Sequence, residues 1–123
     1  YGAPVLAYAW MIFLLSSISS FPYVIPSFFG FDKLAPFSEY YFFGCLICRW
    51  LLAEKGHFAN RHSFALTIVI GTCYGLSDEW HQSFVPGRHA TLWDVLFDAL
   101  GVAAAAITYP LILKRILIWK KFL

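Results

Sequence analysis

Six of the seven acidic side chains in this sequence, Asp32, Glu39, Asp78, Glu79, Asp94 and Asp98, fall close to turn residues or near the ends of apolar stretches. Carboxylates brought close together split in proton affinity, so that one can serve as a general acid or base, and together they accept hydrogen bonds from cationic or hydroxylic groups. Interleaved with them are Lys33, Tyr74, His81, Gln82, Arg88 and His89. The planar fork of Arg88 suits either a carboxylate within the protein or an anionic head group. Nucleophilic catalysis finds little support, because Ser77 and Ser83 lack an evident His and Asp arrangement. His81 and His89 could join Glu79 or Asp94 around a metal, but their separation fits no fixed metal motif, and they read better as solvated histidines. Cys45 and Cys48 form a C-x-x-C with no second pair nearby and read as packing residues. With Cys73 the cysteine count is odd, which argues against a disulfide framework.

Whether these groups meet depends on the elements that carry them. The 123 residues make a single domain, 60% hydrophobic, 20% aromatic and 13% charged, with a mean hydropathy of +0.67. A soluble domain carries about 25% charged residues, so this composition excludes disorder and a basic nucleic-acid-binding surface and points to an integral membrane protein. Four apolar stretches approach the roughly 20 residues that a spanning helix needs, at about 3–20, 36–53, 62–82 and 91–113, predicting an all-α four-helix membrane bundle. Between them lie Pro22, Pro26 and Gly30, then Gly56 and Asn60, then Pro86 and Gly87, all turn or helix-stop residues. No basic residue precedes the first stretch, so it does not read as a secretory signal.

Seven of the nine cationic residues, Arg49, Lys55, Arg61, Lys114, Arg115, Lys120 and Lys121, share one side of this arrangement. The positive-inside rule makes that side cytoplasmic, together with both termini. Glu54 is the single acid there, whereas the other six converge from separate helices on the outer layer. Trp80 and Trp93 fall in the outer aromatic belt, Trp50 and Trp119 in the inner one. Ionisable groups near hydrocarbon need partners or a function, and Asp78 and Glu79 approach a helix C-terminus, where the macrodipole disfavours anions. Asp32 and Lys33 read as loop residues.

Gly71, Gly75, Asp78 and Gln82 recur at intervals of three or four, placing the acid and amide on the face where small residues allow close helix approach. Tyr74, four residues before Asp78, is positioned to donate a hydrogen bond to its carboxylate. Asp94, Asp98, Gly101 and Ala105 form a second stripe, with Gly101 marking the approach of a neighbouring backbone. Thr91 and Asp94 also match a capping box, a role that leaves Asp98, one turn deeper, to enter a polar cavity or pair with Arg88.

Asp32-Lys33 followed by Tyr40, then Tyr74-x-x-x-Asp78-Glu79-x-x-Gln82-Ser83-Phe84-Val85-Pro86-Gly87-Arg88, then Asp94-Val95 and Gly101, resembles the VanZ-like family of small bacterial membrane proteins. The likeness covers about residues 30–110 and implies a four-helix domain in the cytoplasmic membrane. The family takes its name from a teicoplanin-resistance protein. Its frequent histidine three residues after the lysine is replaced here by Pro36, which cannot donate a proton or bind metal. Asp98 stands where many relatives carry asparagine. The leading expectation is a cell-envelope protein binding the polar group of a lipid-linked precursor or a lipoglycopeptide through Lys33, Gln82 and Arg88. Asp32, Glu39, Tyr74, Asp78, Glu79, Asp94 and Asp98 would support those contacts. No cofactor or resident metal is expected, although the acidic cluster offers a place for a divalent cation. Two alternatives remain: an intramembrane enzyme using a carboxyl of Asp78, Glu79 or Asp98 on a lipid-linked substrate, and a structural subunit of a membrane assembly.

Overall fold

The computed structural model describes residues 2–18, 31–54, 57–86 and 91–122, and the regular structure among them is entirely helical. The helices are α1 (Gly2–Ser16), α2 (Phe31–Ala53), α3 (His57–Arg61), α4 (Ser63–Gln82) and α5 (Leu92–Phe122). Four of them coincide with the four apolar stretches. The fifth, α3, occupies the connection that Gly56 and Asn60 mark as a turn. Asn60 lies inside this short helix, and its side-chain amide donates to the Leu52 carbonyl at 2.9 Å, satisfying one of the oxygens left open at the end of α2.

Helix bounds extend beyond the expected spans at their charged ends. α2 begins at Phe31, so Asp32 and Lys33 lie on its first turn rather than in a loop, and Pro36 falls inside the helix. At that depth the missing N–H of proline withholds one intrahelical bond without ending the helix. α5 runs through Pro110 and on to Phe122, because Lys and Arg limit a hydrophobic span but are good helix formers. Among the described residues α5 alone is long and apolar enough to cross a bilayer. α1 has 15 described residues, about 22 Å at the usual rise. α2 and α4 have 23 and 20 residues, but Glu39, Arg49, Asp78 and Glu79 dilute their apolar character.

Contacts fix the directions of the long helices. Tyr74 reaches Ala9 and Asp78 reaches Ser16, so α1 and α4 run in parallel. Gly44 faces Ala105 and Gly101 faces Phe37, aligning α2 with α5, whereas Gly71 against Val102 and Gly75 against Asp98 set α4 antiparallel to α5. The core holds Val5 and Ile12 of α1, Tyr40, Phe43, Ile47 and Leu51 of α2, and Val102 of α5. The α2 residues recur at three- and four-residue spacing, one stripe of a helix pressed into the bundle. Large apolar side chains cover the outside instead, among them Leu6, Trp10, Phe64, Val69, Leu76, Ile107 and Leu111. Such a surface suits hydrocarbon and is unsuited to water.

Close approach between helices rests on missing side chains. A Cβ added at Gly101 would collide with the Phe37 carbonyl oxygen and sit 3.1 Å from the Tyr41 nitrogen, both backbone atoms. At Gly44 it would lie 2.8 Å from the Ala105 Cβ and 3.1 Å from the Val102 Cα. Gly101→Ala should therefore push α5 off α2 and cost about 1–3 kcal/mol. Gly2→Ala, whose new methyl would only touch the Trp50 ring at 3.5 Å, should leave stability unchanged. Denaturant titration of both variants in detergent, followed by circular dichroism, checks the contrast; equal midpoints would refute it.

Candidate functional site

Asp78 is buried near the C-terminal end of α4, where the helix dipole is unfavourable to its charge and the C-terminal carbonyls offer it no donors. Donors come instead from three helices. The Ser16 hydroxyl at the end of α1 donates to Oδ1. The Tyr40 phenol on α2 donates to Oδ2 at 3.0 Å, and the Gln82 amide, one turn along α4, reaches Oδ2 at 3.4 Å. Gln82 also donates to Ser16 Oγ at 3.1 Å, closing a small polar network.

The expected bond from Tyr74 is absent, and the geometry of helices explains why. Side chains on a helix lean toward its N-terminus. Tyr74 therefore points away from Asp78 and donates to the Ala9 carbonyl at 2.5 Å, whereas Gln82, on the C-terminal side, leans back toward the carboxylate. Tyr40 and Ser16 take the place assigned to Tyr74. Tyr40 stands within the family-like pattern and on the stripe that continues through Phe43 and Ile47, but nothing in the spacing of α4 reveals a partner from another helix. Ser16 gives a fainter signal, as a hydroxyl closing an otherwise apolar run.

Asp98 enters from α5 and is 2% exposed. Its carboxylate faces Gly75: a Cβ there would lie 3.3 Å from Asp98 Oδ2 and 3.5 Å from the Tyr40 ring. The absent side chain of Gly75 thus lets the acid of α5 come up beside the tyrosine that holds Asp78. Among the described residues Asp98 Oδ1 is buried without a hydrogen-bond partner. Asp98 thus stands across Gly75 from the face of α4 that carries Asp78. The acid-bearing faces of α4 and α5 consequently oppose each other, as the two stripes require.

The remaining candidates surround this pair. Glu39, Glu79, Gln82 and Asp94 are half-buried. Thr91 caps α5, its hydroxyl accepting from the Asp94 N–H at 3.3 Å, which is the first half of the expected capping box. His81 is less solvated than expected, since its ring stacks on Phe13 at 4.6 Å and Nε2 lies 3.0 Å from the Ser17 hydroxyl. Beneath the acids Tyr8 stacks on Phe43 at 5.9 Å, and Tyr74 contacts the same ring at 5.1 Å. Arg88 and His89 lie outside the described residues, as do the side chains of Asp32 and Lys33. Cys45, Cys48 and Cys73 are free thiols. No group of three or more His, Cys, Asp or Glu side chains among the described residues is arranged to hold a metal ion.

Removing either interhelical donor leaves a buried carboxylate short of a partner, at a cost of about 1–3 kcal/mol. Tyr40→Phe and Ser16→Ala should each destabilise the bundle by that order and shift the Asp78 carboxyl resonance in carbon-13 spectra. Their double variant should be non-additive, because both act on one group. Tyr74→Phe should leave that resonance in place; a shift as large as that of Tyr40→Phe would contradict the assignment of donors.

No curated protein and no solved structure matches the chain. The VanZ/LLP1 family model matches residues 4–114, including all four long helices in large part and both buried aspartates. With nearly its whole length covered, the chain belongs to the VanZ/LLP1 family.

Proposed function

We propose that this VanZ/LLP1 protein is a multi-pass protein of the bacterial cytoplasmic membrane that binds the polar group of an amphiphilic envelope ligand. The head of a lipid-linked cell-wall precursor or a lipoglycopeptide would suit it, giving a role like glycopeptide tolerance. One observation carries this reading: Asp98 is buried with Oδ1 unpartnered among the described residues, and it shares the space at Gly75 with the Tyr40 ring, whose phenol is one of the donors that three helices supply to Asp78. An orphaned acceptor costs about 1–3 kcal/mol and is retained where something outside the fold completes it.

Gln82 is half-buried at the edge of this network. Its bond to Asp78, at 3.4 Å, is longer than an ordinary N–H···O bond, so its amide can turn to a ligand while Ser16 and Tyr40 keep Asp78 in place. Lys33 and Arg88 contribute from the same layer in this reading. Orientation follows the cations: the Lys114–Lys121 end of α5 lies in the cytoplasm and the acid cluster below the outer leaflet.

Teicoplanin titrated against the purified protein in phosphatidylcholine nanodiscs should bind saturably, and Asp98→Ala should weaken that binding by about tenfold or more. In cells, Asp78→Asn should reduce glycopeptide tolerance while the protein still accumulates. Arg88→Ala should do so more than Arg49→Ala, at matched expression. Binding indifferent to Asp98, or equal loss in the two arginine variants, would overturn the reading. A fluorescent protein fused after Leu123 should glow and an alkaline phosphatase fusion there stay inactive, as a cytoplasmic C-terminus requires.

A further inference from the structure

The long helices meet evenly at one end of the bundle and unevenly at the other. Gly44 of α2 faces Ala105 of α5, and Gly71 and Gly75 of α4 face Val102 and Asp98. Counted along the helices from these contacts, Phe31 at the start of α2 stands level with Leu92, and Gln82 at the end of α4 with Thr91, so the end that carries Asp98 is flush. At the opposite end Ala53 of α2 stands level with Lys114 and Ser63 of α4 with Pro110, whereas α5 continues to Phe122. The excess length of α5 therefore projects from that end alone, and every residue from Lys114 to Phe122 is exposed. The family match stops at residue 114, so the projection lies beyond it. At the usual rise the 23 and 20 residues of α2 and α4 make about 34 and 30 Å, near the roughly 30 Å of a hydrocarbon core. The turns of α5 past Lys114 add about 12 Å, enough to cross the headgroup layer of one leaflet, about 5–8 Å thick.

We infer that this projecting end of α5 binds the headgroups of anionic phospholipids in the leaflet from which it emerges. Lys114, Arg115, Lys120 and Lys121 are exposed on it, and no acid follows Asp98 in the sequence. Glu54, just past the end of α2, is the one acid at this end among the described residues. With 3.6 residues per turn, Lys114 and Lys121 share a side while Arg115 and Lys120 take two others, so charge surrounds the helix. A helix lying flat on a bilayer keeps its cations on one face; charge on three sides fits a helix standing through the interface. Between the cations Ile116, Leu117, Ile118, Trp119 and Phe122 are exposed, Trp119 by 69%. Water is a poor neighbour for such a run, and a second copy of the same stem would set cation against cation. Six residues, about 9 Å of rise, separate the Lys114 and Arg115 tier from the Lys120 and Lys121 tier. The two tiers bracket the headgroup layer: phosphates meet cations on either side of it, Arg115 in bidentate fashion, and the upper acyl chains cover the apolar residues between. This contact lies at the opposite end of the bundle from Asp98 and is independent of what that site binds.

The test titrates palmitoyl-oleoyl phosphatidylglycerol and the phosphatidylcholine with the same chains onto the purified full chain in detergent, read by native mass spectrometry. Phosphatidylglycerol should bind at least about tenfold more tightly, and added salt should narrow the difference. Lys114→Gln, Arg115→Gln, Lys120→Gln and Lys121→Gln together should abolish the preference. Lys114→Arg, Lys120→Arg and Lys121→Arg together, which keep the charge, should retain it, as should Arg61→Gln at an exposed cation of α3. Where the quadruple variant does not accumulate, Lys120→Gln with Lys121→Gln, on turns that no other helix covers, should lower the preference by at least about fivefold. Equal binding of the two lipids by the unaltered protein, or a preference untouched by the glutamine variants, would overturn the proposal. So would a lipid-insensitive dimer that the glutamine variants dissolve, since a second copy would then be the occupant.

Discussion

A single buried carboxylate, that of Asp78, sets the terms for this bundle. It sits buried near the end of α4, where the helix itself offers only carbonyls. Three donors from α1, α2 and α4 must therefore arrive at one point. Their arrival fixes the depth of Ser16, the rotation of α2 about its axis and the direction of the last turn of α4. Burying an apolar residue would tolerate sliding by one turn; satisfying a carboxylate does not. The polar network consequently supplies register to a bundle whose apolar surfaces would otherwise pack in several ways.

Small residues make that convergence possible. Gly75 leaves the space through which Asp98 approaches Tyr40, Gly71 receives Val102, and Gly44 and Gly101 allow α2 and α5 to meet backbone to backbone. Where lipid covers the outside, helices gain little by hiding Leu from their surroundings, so the packing gain comes from close approach. The division of labour is visible along α4: one face carries glycine and aspartate inward, and the other carries Val69, Leu76 and Trp80 outward.

The all-helical architecture and the inward faces of α4 and α5 were legible from the sequence because each depends on spacing within one segment. Gly71, Gly75 and Asp78 lie where a period of three to four places them, as do Asp98, Gly101 and Ala105. The partners of Asp78 were not legible. A hydrogen bond from Tyr40 or Ser16 depends on how separate helices are rotated and offset, and no local pattern encodes that. Tyr74 misled for the opposite reason, since its spacing was right while the lean of helical side chains carried its phenol the other way. The helix ends at Phe31 and Phe122 were hidden because charge was read as a boundary, when it limits only the apolar part of a helix. α3 was missed because five residues are too few to show a period.

The two buried aspartates show how one fold gives identical side chains different roles. Asp78 faces three donors and is fixed by them, so its contribution is positional. Asp98, across Gly75, has one oxygen that accepts from no donor among the described residues. Apolar packing alone would favour replacing such a residue with one of similar volume, since an unsatisfied buried carboxylate weakens a bundle. Here the two conditions stand close together, one carboxylate fixed by donors from three helices and the other left open among the described residues. That asymmetry, rather than the number of acids in the layer, separates the two aspartates in what each contributes to the bundle.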